Sequence, residues 1–169
     1  MLEDLGNLGD FIGGLAVIVT LIYLANQVRQ NTAALRTSSQ QEINSGFRRW
    51  NDVLLRPGVR EAYSLGIRDY PDMPAEQKGM FAIAFSDHVN NVQGAYSLYK
   101  GGLLDSDTYL AHRYSLACQI VTPGGLRHWE ETRAYYPAPF VKAMDDCVSA
   151  GGIPDILTHP YFQLDGRPN

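Results

Sequence analysis

The chain is poor in the residues that usually advertise chemistry. Its two cysteines, Cys118 and Cys147, lie 29 residues apart and outside any CxxC spacing. That excludes a disulfide framework and a zinc ribbon, and reads as two reduced thiols packed as small apolar groups, with a single disulfide left open. The four histidines, His88, His112, His128 and His159, form neither an HExxH site nor the paired ExxH motifs of a di-iron bundle. There is no GxSxG serine and no GxxxxGK[ST] phosphate loop. Basic residues number 14 against 18 acidic ones, a net charge of −4, so there is no basic footprint for nucleic acid. No convincing alternating stretch marks a sheet. The sequence thus nominates no catalytic, cofactor-binding or metal-binding residue and leans away from an enzyme.

The most informative absence is local. FIGGLAVIVTLIYLANQV, Phe11 to Val28, holds no charged residue and is bounded by Asp10 and Arg29. In a helix its eighteen residues rise about 27 Å, close to the roughly 30 Å hydrocarbon core of a bilayer. From Phe11 to Ala25 the run is apolar on all sides, whereas a surface helix of a soluble domain should show a polar face. Residues 1–10 carry Glu3, Asp4 and Asp10 but no Lys or Arg, so the run lacks the positive start of a signal peptide. Arg29, Arg36, Arg48, Arg49, Arg56 and Arg60 all follow it. The positive-inside rule then predicts an uncleaved single-pass anchor, with the N-terminus outside and the main domain cytoplasmic. Gly9 and Gly13 form one small-residue pair, and Ala16 with Thr20 another on a neighbouring face; such pairs let helices approach in lipid. The competing reading is a hydrophobic first helix buried in a soluble bundle.

Beyond the anchor the pattern is helical throughout. No Pro or Gly interrupts 15–45, so the helix should run on as a polar stalk, with Thr37, Ser38 and Ser39 marking a bend. FRRWNDVLL ends at Pro57-Gly58, a short helix covers 59–67, and Pro74 opens the first turn of a long helix through Tyr99. Its expected buried face is Phe81, Ala84, Phe85, His88, Val92, Ala95 and Tyr99. Asp105 or Ser106 caps the next helix, which TPGG should halt; further helices follow at 126–135 and 139–149. The predicted fold is all-α: one long N-terminal transmembrane helix continuing into a bundle of about five or six helices. Its divisions are 1–28, tail and membrane helix; 29–152, helical cytosolic domain with stalk; and 153–169, an irregular tail rich in Pro and Gly.

Two polar stretches stand out. SDHVNN sets Asp87, His88 and Asn91 in an otherwise apolar helix, either as a small pocket or as a register-setting hydrogen bond between helices. Arg127, Glu130, Glu131 and Arg133 form a charged surface, either solvated or available to a partner. The run LIYLANQVRQNTAALRTSS, containing QxRQNTxAL, together with PGGLRHWEETRAYYPAPFV, resembles a broad group of uncharacterised bacterial proteins with one hydrophobic helix and a small helical domain. That resemblance implies bacterial origin and membrane association, and supplies no catalytic residue. The resulting expectation is an inner-membrane protein whose partners are the lipid bilayer and either further copies of itself or another membrane protein. In it the helical domain acts by association, as accessory subunit, scaffold or self-assembling module. The rival of another class is a ligand-binding or enzymatic domain with its pocket at Asp87, His88 and Asn91.

Overall fold

The computed structural model describes residues 2–159 and 162, with the side chains of 2–6 and 8–10 outside that description. Six α-helices follow one another: α1 (Leu2–Leu54), α2 (Val59–Asp69), α3 (Ala75–Lys100), α4 (Ser106–Ile120), α5 (Pro123–Thr132) and α6 (Ala138–Ser149). Short 3-10 turns occupy Arg133–Tyr135 and Ile156–Thr158. No strand occurs among the described residues, so the fold is all-α. The chain divides into two compact units, Met1–Ser39 and Gln40–Asn169. This division falls later than residue 28 and leaves the stalk residues 29–39 with the N-terminal unit.

Thr37 Oγ1 donates to the carbonyl of Ala33 at 3.1 Å, and α1 is continuous through Thr37–Ser39. Gly46 does not break it either. A Cβ there would meet Asn91 Oδ1 at 2.4 Å, so the glycine serves close packing of α1 on α3. Ile43, Trp50 and Leu54 bury the same face at helical spacing, and FRRWNDVLL is therefore the last part of α1 and its exit. Gly58, at φ 78, takes the left-handed turn that starts α2.

α3 packs on α2 and α4, and α5 on both α2 and α4. Pro74 precedes the first turn of α3 as its cap residue instead of lying within that turn. Phe81, Ala84, Phe85, His88, Val92 and Ala95 are buried as the spacing predicts. Tyr99 is instead 37% exposed, its ring stacked on Tyr109 at 4.7 Å. Asp105 caps α4, accepting from the backbone N–H of Thr108 at 2.8 Å.

TPGG ends α4 and also begins α5, which starts three residues earlier than expected. Thr122 Oγ1 accepts from Gly125 N at 3.1 Å, Pro123 fills the first turn, and Gly124 faces α2. A Cβ on Gly124 would lie 1.7 Å from the carbonyl oxygen of Gly66, so two glycines bring the α2 and α5 backbones together. Trp129 and Phe140 are core residues, 2% and 0% exposed. Cys118, buried, and Cys147, half-buried, are both free thiols. In the described part of the tail, Arg68 Nη2 donates to the carbonyls of Leu157 (2.9 Å) and Phe162 (3.3 Å), while Ile153, Leu157 and Phe162 pack on the core.

Candidate functional site

The largest apolar surface belongs to the first unit. Every large apolar side chain from Phe11 to Leu24 is about half or more exposed, between 48% at Leu24 and 70% at Phe11. Successive residues point about 100° apart around a helix, so this surface encircles α1 and is not one stripe. α1 is long and apolar enough to cross a membrane, and 0% of its most apolar window is buried inside the chain. A contiguous apolar surface of this extent is unusual on a monomer in water.

Thr20 Oγ1, within the segment, donates to the carbonyl of Ala16 at 2.8 Å, and Thr32 Oγ1, just beyond it, to that of Val28 at 2.9 Å. In a low-dielectric surrounding such back-bonding spares an unpaired hydroxyl. Gly13 has no neighbour within 4 Å of an added Cβ. Gly13, Ala16 and Thr20 lie within about 60° of one another around the helix, one side instead of two. Gly9 falls among the residues whose surroundings lie outside the described part.

The three residues of SDHVNN singled out as a pocket are separated. Asp87 is exposed, Asn91 sits half-buried against Gly46, and His88 is 0% exposed. Consecutive helical positions diverge by about 100°, so Asp87 and His88 cannot share a face. His88 Nδ1 bonds Gln119 Oε1 at 2.9 Å, and the same oxygen accepts from Tyr63 Oη. With Gln119 oxygen as acceptor, the imidazole carries its proton on Nδ1; Nε2 has no hydrogen-bond partner. The ring leans on Trp50 at 4.2 Å and meets Phe47 edge-on at 5.5 Å. Burial pushes its pKa down to about 4, against the opposing effect of the Gln119 bond, and nearby His112 lowers it further. His88 is therefore neutral at pH 7, and joins α3 to α4 and α2 through one amide. Gln119 and Tyr63 had no local signal in the sequence.

The charged stretch is partly consumed internally. Arg127 pairs with Glu131 at 2.9 Å one turn on, and Arg133 pairs with Asp145 of α6. Glu130 is exposed. These side chains form a solvated helical surface with one cross-helix tie, which leaves little unpaired charge for a partner. His128, between them in sequence, is buried with both ring nitrogens unpartnered, and burial lowers its pKa. Among the described residues no three His, Cys, Asp or Glu side chains converge in a way that could hold a metal ion. Comparison with protein-family models, curated proteins and solved structures finds no match to this chain.

Proposed function

We propose that Phe11–Val28 is a single membrane anchor in a bacterial inner membrane, with the N-terminus outside and the helical domain in the cytoplasm. The observation that carries this reading is the fully uncovered apolar helix, closed at its C-terminal end by Arg29 and Arg36 and free of Lys and Arg before it. Lipid covers such a cylinder on every side; a core helix would be covered by its own chain.

The domain then acts by association beside the membrane, as a self-assembling module, scaffold or accessory subunit of a membrane complex. Support comes from the strip Gly13, Ala16 and Thr20, where a second helix could approach closely with no hydroxyl left to satisfy. Reporter fusions test the topology. A C-terminal fluorescent protein should mature in the cytoplasm, and a C-terminal alkaline phosphatase should be inactive; the opposite pair of results would refute the orientation. Association is read by crosslinking in native membranes, with Gly13→Ile expected to reduce the dimer or hetero-complex band. An unchanged band would remove this strip from the interface.

A further inference from the structure

The exposed face of α1 does not end with the anchor. Val28 and Leu35, 63% and 56% exposed, carry it into a stretch that is otherwise largely polar. Leu35 lies about 10 Å of helix past Val28, beyond the hydrocarbon core that covers the anchor. Lipid does not cover it there.

Val17, Leu21, Leu24, Val28, Asn31 and Leu35 follow one another at alternating spacings of four and three residues. That is the 3.5-residue repeat of a seam that meets a partner helix by knobs-into-holes packing. α1 is continuous over all six, so the seam is one line about 27 Å long, and each of its apolar members is exposed. The flanking positions Ile18, Thr20, Ala25, Gln27, Thr32 and Ala34 carry no charge. Arg29 and Arg36 point about 100–120° away from the seam. Nothing on it or beside it repels an identical helix.

Asn31 selects the partner. Its amide both donates and accepts, so two Asn31 side chains facing each other satisfy one another, whereas an apolar partner residue leaves the amide unmet. A single such amide in a seam fixes register and strand number. Copies anchored by the same run lie parallel and at one depth, which sets Asn31 opposite Asn31. We infer that two copies of this chain pair through this seam as a parallel, in-register coiled coil running from the anchor into the stalk. The inference rests on the anchor reading, and the shared membrane supplies the high effective concentration that so short a coil needs.

The test is disulfide cross-linking of the full-length chain in native membranes. Val28→Cys, Asn31→Cys and Leu35→Cys probe the seam, and Gln30→Cys, Ala33→Cys and Thr37→Cys the opposite side of the helix. The unsubstituted chain gives the background from Cys118 and Cys147. A product of twice the chain mass should form in about fivefold greater yield from the seam positions, because facing seam residues come within disulfide range and opposite ones do not. Asn31→Asp sets two carboxylates face to face and should lower the Leu35→Cys yield about threefold. Equal yields at all six positions, a product whose second chain is another protein, or an unchanged yield with Asn31→Asp overturns the inference. A carbonate wash of the same membranes separates the two readings. A retained chain without the seam pattern defeats the pairing and leaves the anchor; a released chain defeats the anchor and the pairing with it.

Discussion

Gln119 is the residue on which the polar part of the core turns. Its oxygen takes hydrogen bonds from Tyr63 on α2 and His88 on α3, although it lies on α4. Gln119→Leu removes the acceptor shared by two buried donors and should destabilise the domain by about 2–4 kcal/mol, read as a lower denaturant midpoint at unchanged slope. His88 also makes stability depend on pH. Its folded pKa, about 4, lies below the ordinary histidine value of 6.5, so the unfolded chain binds the proton more readily. The stabilisation is present above pH 6.5 and drains as the pH falls towards 4, by about 3 kcal/mol over the window. His112 and His128 are shifted in the same direction by burial and add to the slope. Urea melts between pH 7 and 4 should show this loss, with a shallower dependence in His88→Phe from a lower starting stability; an identical pH profile would contradict the neutral buried histidine. Sequence reasoning found His88 through its place on an apolar face, and its register-setting reading agrees with the geometry. The partner stayed hidden because Gln119 is 31 residues away, and no periodicity links an amide on one helix to a ring on another.

Among the helices, periodicity and punctuation were enough to place α2, α3, α4 and α6 closely. Where they misled, packing was the cause. TPGG ends α4 as expected, but Gly124 within it also makes room for the Gly66 carbonyl inside the first turn of α5, and Gly46, inside α1, makes room for Asn91. A glycine that ends a helix and one that lets two helices touch read alike in sequence. Two substitutions tell them apart. Gly124→Ala places a methyl into the α2 backbone and should cost upwards of about 3 kcal/mol or prevent folding. Gly94→Ala, in the body of α3 with nothing within 4 Å of the new carbon, should instead stabilise by about 0.5–1 kcal/mol through helix propensity. Thermal melts of the two variants would contradict this packing if they moved in the same direction.

At the largest scale, the chain carries a helical domain with a dense aromatic core and, in the first part of α1, an apolar run whose large side chains are exposed. The apolar run and its flanking charges were plain in the sequence, because hydropathy and arginine placement are local properties. Whether the run was also the chain's own core was not, since burial depends on every other helix; its most apolar window is 0% buried. A single charge inside the run is a sensitive probe. Ile18→Arg should cost about 3 kcal/mol of insertion free energy at mid-helix and move part of the protein out of the membrane fraction, whereas Arg at position 83, also exposed but in the domain, should leave the fractionation unchanged. The most direct measurement is an alkaline carbonate wash of membranes carrying the full-length chain, set beside a chain starting at Gln30 examined by circular dichroism. The account predicts that the full-length protein stays with the membrane while the shortened one is soluble and helical. Release of the full-length protein as a monodisperse soluble species, or collapse of the shortened one, would contradict it.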